Sequence, residues 1–145
     1  MTMKVQLILA FIWLLADVNT TTLQLAGGKT IKVEVVTSDE QLGKGLSGRP
    51  PLPPDTGVLF AYRTEVRATA HLLYYRMPVD IVWMDKNKTI VNLRENALPC
   101  PKLPCAGYDS IWMFQYALEL PAGTVKRLNI RGGHVLSFNL PAPKR

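Results

Sequence analysis

Gly45-Leu46-Ser47-Gly48-Arg49, followed by Pro50-Pro51-Leu52-Pro53-Pro54 and then Gly57-Val58-Leu59-Phe60, decides how the first half of this chain is built. Immediately upstream, Ser38-Asp39-Glu40-Gln41 is a capping box, in which the serine hydroxyl satisfies a free amide of the first turn. Leu42 and Leu46 then share one helical face, and Gly48 is expected to end the helix before two prolines that cannot continue it. Downstream, Gly57 to Tyr62 is an apolar run bounded by turn residues, which predicts a buried strand. Upstream of the box, Thr30-Ile31-Lys32-Val33-Glu34-Val35 alternates apolar and polar, which predicts a strand with one face in the core. A strand, a short helix and a second strand therefore open the domain.

The rest of the chain is dominated by strand patterns. Val66 to Tyr75 reads as a strand, and Val79 to Met84 as a near-continuous apolar one containing a single acid, Asp80. Asp85-Lys86-Asn87-Lys88 has turn chemistry, with Thr89 to Arg94 returning as the partner strand. Asn96 to Ser110 contains Pro99, Pro101, Pro104 and Gly107 and is expected to be a long surface loop. Ile111 to Leu120 alternates again. Trp112, Phe114, Tyr116, Leu118 and Leu120 lie on one side, and Met113, Gln115, Ala117 and Glu119 on the other. Ala122 to Asn129 predicts a short helix, and His134 to Leu140 a closing strand after Gly132-Gly133. The expected fold is a mainly β, single-domain sandwich or barrel with two short helices.

Three blocks in order, Gly45 to Phe60, Pro78-Val79-Asp80-Ile81 and Leu118-Glu119-Leu120-Pro121-Ala122-Gly123, resemble the DUF192 family, a domain of unknown function. Its members carry Gly-Leu-Met-Gly-Arg, a Leu-Pro turn and Gly-Met-Leu-Phe, then Pro-Leu-Asp-Ile, then Leu-Glu-Leu-x-Ala-Gly. The resemblance spans residues 31 to 138 and implies the same mainly β fold; it implies no activity. His71-Leu72-Leu73-Tyr74-Tyr75 departs from the family, whose Trp-Met-Lys-Asn-Thr block would supply polar groups and an indole for a ligand. The resemblance therefore implies that the family's ligand is bound differently here or not at all.

The chain has 145 residues and a net charge of +6. Lys4 precedes an apolar run from Val5 to Ala16 that is too short to span a membrane comfortably, so residues 1–16 are expected to be a signal peptide cut between residues 16 and 22. A retained membrane anchor is the alternative. The domain proper is then 23–140, with a basic tail at 141–145, and the product is periplasmic or extracellular. The remaining basic residues are dispersed, without the aromatic interleaving of a nucleic-acid reader, so nucleic acid is not an expected partner. Peripheral contact with an anionic envelope surface is compatible with the charge. A monomer is expected.

Standard catalytic motifs are absent, and no catalytic residue is assigned. Gly45 to Arg49 lacks the final glycine of a nucleophile elbow, and only His71 and His134 offer an imidazole. The candidate ligand-binding residues are Arg49, Arg76, Asp80 and Glu119. A carboxylate inside an apolar strand needs compensation, so Asp80 is expected to meet Arg76, Arg49 or the amides of the Gly45 to Arg49 turn. Glu119 would otherwise cap the following helix. Cys100 and Cys105, the two cysteines of the chain, are expected to form a disulfide; they make only half a zinc site, so neither metal nor cofactor is expected. Trp83, Trp112, Phe114 and Tyr116 are either core or the floor of a sugar groove, whereas Tyr74, Tyr75 and Tyr108 are expected on the surface.

The leading functional expectation is an exported, non-catalytic accessory domain. It would bind a small molecule, glycan or protein through the Asn96 to Ser110 loop and the adjacent sheet. The alternatives are an envelope hydrolase-type enzyme using Asp80 and Glu119, and a periplasmic docking module acting through a β edge.

Overall fold

The computed structural model describes residues 19–142 and contains eight strands and two short helices. In chain order these are β1 (Thr20–Gln24), β2 (Thr30–Val36), α1 (Asp39–Lys44), β3 (Thr56–Val66), β4 (Thr69–His71), β5 (Val79–Met84), β6 (Ile90–Ala97), β7 (Gly107–Asp109), β8 (Phe114–Pro121) and α2 (Thr124–Arg127). The segment read as a signal peptide, residues 1–16, and the tail residues 143–145 lie outside the described residues.

Six strands form one sheet in the order β1-β2-β3-β8-β5-β6, and β4 and β7 pair separately. Only β2 and β3 run parallel, because α1 and the proline-rich turn carry the chain back to the starting end. The strand latest in the sequence, β8, lies between β3 and β5. Its neighbour β5 is buried at every position, which is why it reads as an apolar run.

The large sheet carries core on both faces. One cluster gathers Leu23, Ile31, Val33, Leu59, Val82, Met84, Tyr116, Leu118 and Leu120 with Val125, Leu136 and Phe138. The other gathers Phe60, Ile81, Trp83, Phe114 and Ala117 beneath Leu46, Leu72 and Tyr75. The sheet curls around the first cluster, and the C-terminal segment spans its two edges: Ser137 pairs with Gln24 of β1 and Val135 with Thr89 beside β6. The predicted closing strand is thus a bridge. It reaches two different edges in succession, so no ladder develops.

Four other expectations change. Helix α1 ends at Gly45 rather than Gly48, because Gly45 already takes a positive φ of 58°; the cap itself is as read, with the Gln41 amide donating to the Ser38 hydroxyl at 3.3 Å. The strand expected over Val66 to Tyr75 shrinks to β4, and the loop expected over Asn96 to Ser110 contributes its partner β7. Strand β8 starts at Phe114, not Ile111. The Ile111 amide donates to Asp109 Oδ1 at 2.7 Å and the Ser110 hydroxyl to the Trp112 carbonyl at 2.9 Å, so local turn bonds replace the ladder. Trp112 consequently stands 62% exposed. Finally, the polar stretch Thr20–Gln24 is a strand, held to β2 in antiparallel register.

Cys100 and Cys105 are disulfide-bonded, with Cα atoms 5.6 Å apart, and close a small loop beside Leu72 and Tyr74. A loop this short restricts the unfolded chain by about 2 kcal/mol.

Candidate functional site

Alternation along β8 sends Tyr116, Leu118 and Leu120 to the first cluster and Ala117 and Glu119 to the second. The Glu119 carboxylate therefore enters the aromatic side of the sheet, where it is 5% exposed. Its two oxygens accept from one donor, the Tyr75 hydroxyl, at 3.1 and 3.0 Å. Tyr75 was expected at the surface; it is buried, because the turn after β4 folds its ring down over the sheet.

Beside this pair lies a cavity of about 140 Å³. Its floor is Phe60, Tyr62, Ile81, Trp83, Phe114 and Ala117 from the large sheet, and its rim is the end of α1 with β4 and His71. Tyr62 stacks edge-on against Phe114, ring centres 5.3 Å apart. Burial pushes the Glu119 carboxyl up to about 7, even though the Tyr75 hydrogen bond and the Arg49 charge act in the opposite direction. Burial, and after it the Glu119 charge, raise the phenols of Tyr75 and Tyr62. The arrangement can hold a proton or a polar group of a ligand against an otherwise apolar wall.

Gly45 sets the roof. With φ 58° and ψ −136° it occupies backbone space that side chains disfavour, and a Cβ there would overlap the Tyr75 hydroxyl. Gly45→Ala is expected to lower unfolding free energy by on the order of 1 to 3 kcal/mol, read as a shift of the urea midpoint. An unshifted midpoint would show that Tyr75 does not pack against this turn.

The four residues singled out by sequence do not converge. Asp80 is fully buried on the opposite face of the sheet, where Oδ1 accepts from the Asn96 amide and Oδ2 from the Val125 amide, each at 2.9 Å. Its compensation thus comes from neither arginine nor the Gly45 to Arg49 turn. It comes from amides that β6 and α2 bring to the strand. Arg49 pairs with Glu34 of β2 at 2.7 Å. Arg76 is exposed and makes no ion pair among the described residues. Glu119 alone reaches the cavity, and it does not cap α2. The residues the sequence reading missed are Tyr75, Tyr62 and Phe60. The available signal was the Tyr75 position itself, where the resembling family has threonine.

Among the described residues no group of three or more His, Cys, Asp or Glu side chains is placed to hold a metal ion. No helix among them is long and apolar enough to cross a membrane.

The chain is similar to known proteins in sequence and in fold. The family model DUF192, described as an uncharacterized ACR, matches residues 21–138. A UPF0127 protein of Pyrococcus furiosus is 28% identical over 122 residues, covering 81% of this chain and 97% of its own. A Sinorhizobium meliloti crystal structure, of a protein provisionally named a transcription regulator, superposes with a TM-score of 0.73 at 32% identity and covers 83% of this chain and 92% of its own. A Novosphingobium aromaticivorans protein of unknown function has the same fold, with a TM-score of 0.72 at 22% identity over 81% of this chain and 83% of its own.

Proposed function

Since the chain belongs to the DUF192 family, whose description assigns no activity, we propose from its own residues that it is a non-catalytic binding domain for a compact small molecule held in the Glu119 cavity. The observation that carries this reading is a buried carboxylate that shares a single phenolic donor and opens onto an aromatic chamber. Size narrows the ligand. Drug-sized sites occupy roughly 300 to 1,000 Å³, whereas an engineered cavity of about 150 Å³ accepts benzene. At about 140 Å³, this chamber suits one ring or a branched group of similar bulk.

The hydrolase reading loses support because Asp80 and Glu119 point to opposite faces of one sheet, so no substrate atom lies between them. The name given to the Sinorhizobium relative would imply nucleic acid. Against that, Arg49, Arg67 and Arg127 of this chain are drawn to Glu34, Asp109 and Asp55 rather than gathered in a stripe. Export remains part of the proposal, supported by the disulfide, which persists in oxidising compartments.

A fragment screen by protein-observed NMR tests the binding reading. Single-ring fragments are expected to shift the Trp83 indole and Gly45 amide signals, and Ala117→Leu, which fills the chamber, is expected to remove those shifts while the spectrum stays dispersed. Fragments that perturb only the loop 96–110, or nothing, would overturn it.

A further inference from the structure

We propose that the ligand of this cavity is a compact ammonium cation, seated with its charge against Glu119 and its alkyl body against the rings of Phe60, Tyr62, Trp83 and Phe114. The proposal rests on the binding reading above and specifies its chemistry.

Two independent features of the chamber select for positive charge. The first is the wall. Aromatic faces carry negative electrostatic potential and attract alkylammonium groups, the more so as water is excluded, and the rings of Phe60, Tyr62, Trp83 and Phe114 share the floor of one small space. Four of the rings lining this cavity are nearly or fully removed from solvent or half-buried within the second cluster. The second is the carboxylate. A buried acid with one hydroxyl shared between its two oxygens retains lone pairs without a donor, and ionising it there is costly. A cation replaces the missing solvation, whereas an anion would repel it and a purely apolar guest would leave it uncompensated.

The charged and titratable groups around Glu119 are Tyr75, which donates to it, Arg49 and Tyr62, which are coupled to its charge, and Lys44 and His71, which line the same cavity. Arg49 is already engaged by Glu34, and Lys44 is exposed at the end of α1. Neither ion-pairs with Glu119, so the anionic position of the chamber is left to the guest. Lys44 instead limits the guest's size: a long cation projecting past α1 would meet it, while a compact one stays beneath it.

Binding a cation favours the ionised form of Glu119, so uptake below neutrality releases a proton and affinity rises with pH. With the carboxyl midpoint at about 7, affinity is expected to gain about tenfold between pH 6 and pH 8.

The test compares tert-butylammonium with tert-butanol, two probes of nearly one shape that differ in charge, using Trp83 and Gly45 NMR signals at pH 6 and pH 8. The expected result is tighter binding of the cation, roughly tenfold tighter at pH 8 than at pH 6, with the pH dependence lost in Glu119→Gln and kept in His71→Asn. Equal or tighter binding of tert-butanol at the same signals would overturn the cation assignment while leaving the cavity as a binding site. A pH dependence that disappears in His71→Asn would also overturn it, since the charge sensed would then be the imidazole's. Failure of both probes to move either signal would remove this inference, and loss of all single-ring fragment hits as well would remove the binding reading beneath it. Should Glu119→Gln fold poorly, the wild-type comparison of the two probes at two pH values decides alone.

Discussion

Asp80→Ala is expected to be the most damaging single substitution in the domain, lowering unfolding free energy by on the order of 3 to 5 kcal/mol. The fully buried Asp80 carboxylate terminates two amides at once, Asn96 N at the exit of β6 and Val125 N in the first turn of α2. Removing it strands both donors in a closed interior and opens a void against the first cluster. Asp80→Asn keeps the shape and one acceptor but turns an amide group toward the other donor, so a loss of about 1 to 3 kcal/mol is expected. Urea unfolding of the two variants beside the wild type measures both. An alanine variant no worse than the asparagine one would show that the second amide finds another partner, and would reduce Asp80 to a packing residue. Because Asp80 faces away from the cavity, the asparagine variant should retain ligand binding in its folded fraction.

Glu119→Gln is expected to change stability in the opposite sense at alkaline pH. The unfolded chain releases the Glu119 proton near 4.5, whereas the folded domain holds it up to about 7. The stabilisation tied to that proton is complete below the unfolded value and disappears as pH rises through the folded one. For a shift of this size the loss is on the order of 3 kcal/mol between pH 4.5 and 8. Glutamine carries no such proton, can still accept from the Tyr75 hydroxyl, and removes the dependence. The variant should match or trail the wild type at pH 5 and exceed it by on the order of 2 to 3 kcal/mol at pH 8. Denaturant titrations at those two pH values give the answer, and a difference that is the same at both would mean that Glu119 is already ionised and solvated in the folded state.

Local chemistry made most of the scaffold readable in the sequence. Val79–Met84 is the strand the apolar run outlines, and the Ser38 cap holds α1 as its spacing requires. The start of β8 was misplaced because aromatic alternation continues back to Trp112, while the bonds that divert the chain there come from Asp109 and Ser110, which alternation cannot register. β1 was overlooked because Leu23 is its single large apolar residue; pairing with β2 holds it, not propensity. The cavity was hidden for a related reason. Glu119 and Tyr75 lie 44 residues apart, and nothing in either neighbourhood indicates that a turn brings a phenol down onto that carboxylate. Asp80 was correctly read as needing compensation, yet its donors are backbone amides from two distant elements, and backbone groups leave no trace in side-chain identity.

The position of β8 between β3 and β5 also fixes an order of events. In a chain that has not reached Phe114, a β1-β2-β3 ribbon and a β5-β6 pair would each be left with an unpaired inner edge. Neither piece can hide its apolar face until the last strand inserts and zips both edges together. Assembly is consequently expected to be all-or-none and late, with long loop closure rather than hairpin formation setting its rate. Chains truncated before Phe114 should collect as aggregation-prone fragments instead of partly folded domains.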